Sequence, residues 1–177
     1  SWAPIMGVSY VFPISQWSKG EYAGATNTED DFAVAGANGL PPAPDDHGDT
    51  DATATATILS GTALSIDGVI GTRTDVDVFS VDAPAGTATF TAAPTPVAPD
   101  LDIRLELRDA TGATIADADP VSAGTADTAT GMAATITATL PGGRYTLTAD
   151  GAGWGNPLDT GYSDYGSVGR YRITGTV

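Results

Sequence analysis

The cleanest alternation in the chain is "LDIRLELR" at 101–108, where Leu101, Ile103, Leu105 and Leu107 interleave with Asp102, Arg104, Glu106 and Arg108. A period of two puts one set on a buried face and the other in water, as in a half-buried strand. The same reading predicts strands at 53–59, 75–82, 86–93, 112–117, 133–140, 144–149 and 169–177. The clusters "APAG", "DATG" and "LPGG" fall between them as turns. In "DVDVFSVD" the apolar parity slips between Val78 and Phe79, which predicts a bulge or a strand buried on both faces. Short strands at near-regular spacing, with almost no helical pattern after residue 50, predict an all-β fold. The expected form is an antiparallel, jelly-roll-like β-sandwich over 51–177.

The pattern before residue 50 is different. Six of the thirteen aromatics (Trp2, Tyr10, Phe12, Trp17, Tyr22, Phe32) fall in the first 32 residues. "NTEDDFAVAGANG" predicts one short helix, with Asn27 or Thr28 as N-cap and Glu29, Asp30 and Asp31 in the first turn opposing the helix dipole. Gly36 or Gly39 would end it. At 41–50, Pro41, Pro42 and Pro44 stiffen the backbone toward polyproline II, and the segment reads as a Pro- and Asp-rich linker. Residues 1–40 are thus expected to form an aromatic-rich arm. The opening "SWAPIMGVSY" lacks the charged and apolar regions of a signal peptide and reads like the interior of a domain.

Charge narrows the functional classes. The formal net charge is -15, and Lys19 is the only lysine. Such a field repels phosphate backbones and anionic lipid heads, so neither nucleic acid nor a membrane surface is an expected partner. There is no cysteine, so thiol and disulfide chemistry are excluded. His47 is the only histidine, and there is no G-x-S-x-G elbow, H-E-x-x-H motif, phosphate loop or dinucleotide fingerprint. No pair among the 22 acidic residues stands out by spacing as a glycosidase pair. The chain does not read as an enzyme by itself.

Two sets of residues carry candidate chemistry. Asp45, Asp46, Asp49, Asp75 and Asp77 are short-spaced carboxylates in two loops, and calcium takes six to eight hard oxygens from such loops. If 49–60 runs beside the strand entered at Asp75, the two clusters meet. The expected site is one calcium ion at the junction of linker and sandwich, held by Asp46, Asp49, Asp75 and Asp77 with backbone carbonyls. The alternative is a plain acidic surface, with His47 a solvated loop residue. The aromatics of "GWGNPLDTGYSDYG" (Trp154, Tyr162, Tyr165) either stack on a sugar or peptide ligand or pin a long loop to the sandwich.

"WAPIMGVSY", "ISQWSKGEY" and "TNTEDDFAV" resemble the stretch after the zinc site in secreted bacterial metallopeptidases of the metzincin type. The resemblance implies that Met6 is a Met-turn methionine, which in the parent lies beneath the catalytic zinc, and that "TNTEDDFAV" is the last helix of a catalytic domain. "DDHGDT", "DVDVF", "LDIRLELRDATG" and "GYSDYGSVGRYRITG" resemble a bacterial pre-peptidase C-terminal (PPC) domain, a β-sandwich appended to secreted proteases. The zinc-binding helix that metzincins carry upstream of the Met-turn is not in this sequence. The spacing from Met6 to Tyr10 is not Met-x-Tyr, so Tyr10 takes no ligand role. Zinc therefore belongs to the parent peptidase, and within this chain Met6 is expected to plug the core.

Three readings follow. The first is a non-catalytic, extracellular C-terminal accessory domain of a secreted zinc metallopeptidase, whose partner is the missing catalytic portion. The second is a module that binds an extracellular protein or polysaccharide. The third is a self-assembling protein whose arm adds a strand to a neighbouring copy.

Overall fold

The structure, a computed structural model, describes residues 2–125 and 128–177. Two short strands, β1 (Trp2–Pro4) and β2 (Ile14–Gln16), pair in parallel and precede helix α1 (Asp31–Ala37). The main body is built from β3 (Thr55–Ala56), β4 (Ala63–Ile70), β5 (Val76–Pro94), β6 (Ile103–Asp109), β7 (Thr114–Ala118), β10 (Ala134–Gly151) and β11 (Gly169–Thr176). A hairpin of β8 (Ala123–Thr125) and β9 (Thr128–Thr130) lies between β7 and β10. The order across the sheet is β4-β11-β5-β10-β6-β7, antiparallel throughout, with β3 added in parallel alongside β5. The fold is the expected antiparallel all-β sandwich.

Two expected turns are not turns. "APAG" and "LPGG" lie inside β5 and β10, which run straight through them and pair from Val76↔Asp150 to Ala92↔Ala134 without a register shift. What changes is the facing. In β5 the positions that enter the core cluster are odd up to Ala83 and even from Ala88; in β10 they are even up to Leu140 and odd from Tyr145. Both inversions occur at the same level, where Gly86, Gly142 and Gly143 hold positive φ (154°, 84° and 141°). Glycine there lets the paired ribbon turn over as one unit, so both of its halves face the main core cluster. Turn chemistry is present, but it bends two strands rather than reversing either.

The core is a continuous cluster that includes Phe79, Val81, Phe90, Leu101, Ile103, Leu105, Leu107, Leu147 and Ile173, each at most 1% exposed. Full burial of one such side chain is worth about 1.5–3 kcal/mol. The alternation in 101–108 thus faces as predicted for its apolar set, but Asp102, from the polar set, is only 1% exposed. Phe79 and Val78 are both buried, so "DVDVFSVD" is a strand covered on both faces rather than a bulged one. The linker runs along its edge, where the Gly48 carbonyl accepts from Val78 N at 3.0 Å. The threonine-rich sequence also finds its place: Thr89 meets Thr137 at 3.1 Å and Thr91 meets Thr135 at 3.0 Å on the wet face. Such cross-strand pairs stabilise a sheet from outside.

The helix starts later than the sequence predicted. Asp30 is the N-cap, its carboxylate accepting from Ala33 N at 2.8 Å, and Asn38 is the C-cap. Asn27 and Glu29 instead form a local turn upstream, in which Glu29 N donates to the Asn27 side chain. Met6 is 73% exposed in the turn after β1, so it does not plug the core. Residues 2–40 lie back on the sandwich. Trp2 Nε1 donates to Gly161 O at 2.8 Å, Gln16 Nε2 to Asp100 O at 2.9 Å, and Phe32 N to Tyr165 Oη at 3.1 Å. Arg73 pairs with Asp164 and with Glu21, tying the segment down electrostatically.

Candidate functional site

The start of β5 meets the linker at a group of buried carboxylates. Asp77 is fully buried and Asp75 is 7% exposed. With Asp45 from the linker, one oxygen of each lies within 4.8 Å of the others. That is the span of a single ion with metal–oxygen distances of about 2.4 Å, as calcium has. Each buried carboxylate is held by one oxygen only. Asp75 Oδ2 accepts from Gly71 N at 2.6 Å, and Asp77 Oδ2 accepts from Tyr171 Oη at 2.5 Å. The other oxygens, Asp75 Oδ1 and Asp77 Oδ1, are buried with no hydrogen-bond partner.

The sequence builds this pocket with two glycines. A Cβ at Gly68 would fall 2.4 Å from Tyr171 Oη, so the absence of one admits the hydroxyl that fixes Asp77. A Cβ at Gly71 would fall 2.7 Å from Ala43 O, so its absence lets the linker backbone approach the carboxylates. Burial pushes the Asp77 carboxyl up to about 7, against the Tyr171 hydrogen bond and with help from the charges of Asp75 and Asp46. Burial likewise raises Asp75, opposed by the Gly71 N–H and reinforced by Asp45, Asp49 and Asp46. Without a cation, the fold holds negative charge where it is expensive.

Of the carboxylates singled out from sequence, Asp75 and Asp77 sit at the centre. Asp45 belongs to the same original set but was not among the four expected ligands; it supplies the third grouped oxygen. Asp46 Oδ1 accepts from Val69 N at 3.2 Å, and Asp49 is exposed nearby. His47 is not a free solvated residue. Its Nδ1 lies 3.1 Å from Thr55 Oγ1, its Nε2 lies 3.0 Å from Asp67 O, and its ring packs edge-on against Phe79. With both ring nitrogens engaged, the lone histidine is a structural peg. The donor set is all oxygen, which suits a hard cation and not zinc.

A second buried network, at the same end of the sheet, joins the entry of β6 to the 154–167 loop. Tyr162 Oη donates to Asp102 Oδ2 at 2.7 Å and meets Ser122 Oγ at 2.5 Å. Ser167 Oγ accepts from Asp102 N at 2.8 Å and donates to Asp102 O at 3.0 Å. Burial raises the Asp102 carboxyl to about 6. Tyr165 Oη donates to Asp30 Oδ1 at 2.7 Å while accepting from Phe32 N. Tyr162 and Tyr165, 2% and 6% exposed, are therefore anchors between loop, helix and sheet. Of the three candidate ligand-stacking aromatics, Trp154 lines an open aromatic cleft, shared with Trp2, Phe12 and Tyr22. Sequence reading missed Asp102 and Tyr171. The "SDYG" turn and the Gly68 position were the visible signals, but they mark loop anchoring only once their partners are known.

No protein-family model and no curated protein sequence matches the chain. Solved structures do align with it. The pre-peptidase C-terminal domain of a collagenase from Bacillus anthracis aligns at TM-score 0.47 and 12% identity, over 74% of this chain and 99% of that one. PliG from Aeromonas hydrophila, a periplasmic inhibitor of g-type lysozyme, aligns at TM-score 0.44 and 11% identity, over 70% of this chain and 94% of that one.

Proposed function

We propose that this chain is a non-catalytic, calcium-stabilised accessory domain of a secreted zinc metallopeptidase, acting in stability, secretion or substrate holding. The observation that carries the reading is the pair of buried, half-partnered carboxylates Asp75 and Asp77, grouped with Asp45. Several carboxylates brought together by folding repel one another, and a divalent cation turns that repulsion into attraction. Bound there, calcium would fasten the Pro-rich linker to β5 and so set the direction in which the preceding segment leaves the sandwich.

The peptidase context comes from the PPC-like stretches "DVDVF" and "GYSDYGSVGRYRITG" and from the metzincin-like opening. The residues themselves give no place for catalytic zinc. One histidine with both nitrogens engaged supplies no ligand triad, and Met6 is exposed. The purified chain should therefore not cleave casein with or without added zinc. Zinc-dependent, chelator-sensitive cleavage by this chain would overturn the non-catalytic reading. Extracellular location follows from the same resemblance. Among the described residues, no helix is long and apolar enough to cross a membrane.

A further inference from the structure

The cleft between β1 and the 154–161 loop has a volume of about 530 Å³, within the range of ligand sites. Its walls are aromatic: Trp2, Phe12, Tyr22 and Trp154. Trp2 and Tyr22 stand at 87° with centroids 5.6 Å apart, forming a corner. The corner is already braced. Trp2 Nε1 is bonded to Gly161 O, Ala23 N donates to Pro157 O at 3.0 Å, and Trp154 exchanges backbone bonds of 2.9 Å with Tyr162. The walls therefore need little ordering when something enters. At the rim stands the exposed carboxylate of Asp159, and no lysine, arginine or histidine lines the space.

Aromatic faces carry partial negative charge, and a corner of them with a carboxylate at its mouth is complementary to an organic cation. The field of the whole chain, at -15, draws such a group in. We propose that this cleft is a binding site for a cationic side chain, that of arginine or lysine. Carbohydrate also stacks on aromatics, but it gains nothing from the net charge, whereas a cation gains from the rings, Asp159 and the long-range field together. The site is independent of the carboxylate group at Asp75 and Asp77.

The test is calorimetric titration of the full chain with a capped pentapeptide carrying one central arginine, alongside the same peptide with citrulline, its neutral near-isostere. The arginine peptide should bind, and citrulline should weaken it about tenfold or more. Affinity should also fall as salt rises from about 0.01 to 0.15 M, where the Debye length shrinks from about 30 to 8 Å. Arginine amide and tetramethylammonium should compete. If arginine amide binds as tightly as the peptide, cation recognition stands and the peptide backbone contributes nothing. Asp159→Asn and Phe12→Ala, both at exposed positions, should each weaken binding about fivefold without changing the melting temperature. Three results would each overturn the proposal: no binding of the arginine peptide at millimolar concentration, equal binding of the citrulline peptide, or binding of maltose that arginine does not displace.

Discussion

Replacing Asp77 by Asn separates a carboxylate kept for a cation from one kept for the fold. In the wild-type chain without calcium, the folded state holds the Asp77 proton up to about 7, whereas the ordinary value is 3.8. The folded state therefore binds the proton more tightly than the unfolded chain does. Stability from this group is fully present below about pH 4 and drains away as pH rises through 7. Across that window the loss amounts to about 4 kcal/mol at 1.36 kcal/mol per pH unit of displacement. An amide at 77 has the same shape, still accepts from Tyr171 Oη, and carries no charge. In chelator at pH 8, Asp77→Asn should thus melt higher than wild type, by about 10 °C at 2–4 °C per kcal/mol. With calcium the gap between the two narrows. Wild type should gain about 2.7 kcal/mol at a hundredfold excess over its dissociation constant, and Asp77→Asn should gain far less. Differential scanning calorimetry at pH 5 and pH 8, in calcium and in chelator, gives all of these values. If Asp77→Asn melts lower than wild type in chelator at pH 8, or calcium leaves wild type unmoved, the cation reading fails and Asp77 is simply part of the fold's polar core.

Leu105 is fully buried, so Leu105→Ala should cost about 2–5 kcal/mol by urea denaturation, while Glu106→Ala on the opposite face should change little. Tyr162→Phe removes the donor to Asp102 Oδ2, in a buried carboxylate whose Oδ1 already has no partner. The cost should be about 1–3 kcal/mol at pH 8 and smaller at pH 5, because Asp102 is protonated below about 6. Gly68→Ala places a methyl against Tyr171 Oη and should lower the melting temperature and calcium affinity together, as thermal melts with a calcium series would reveal.

The sandwich was legible because period-two patterning is a local signal: each residue of "LDIRLELR" announces its face to its neighbours. What patterning does not carry is the difference between a turn that reverses a strand and a kink that rolls it over. "APAG" and "LPGG" read as hairpins, yet they face each other across one ribbon, Leu140↔Gly86 and Pro141↔Ala85. The helix start was misread by two or three residues because acidic caps compete locally, and Tyr165 decides the matter from 135 residues away by bonding Asp30. At the carboxylate site, Asp75 and Asp77 could be chosen from their spacing. Tyr171, which holds Asp77, could not, since 94 residues separate them and only the sheet brings them together. Asp102 escaped for a simpler reason. Alternation assigns it to water, and burial came from a loop that no pattern in the strand records.

The position of β11 has a consequence for how the molecule comes into being. Residues 169–176 sit in the interior of the sheet, between β4 at its edge and β5, and β4 begins at Ala63. The sheet therefore gains its β4 margin only after nearly a hundred residues of intervening chain have been made. Until then β4 has no antiparallel partner, and the flank of β5 that β11 covers stays open. Pairing at such separation is slow, because the loop must close before its contacts reward it. The β4 margin is therefore the last part of the sheet to assemble, whereas β5, β6, β7 and β10 can pair as soon as β10 has been made.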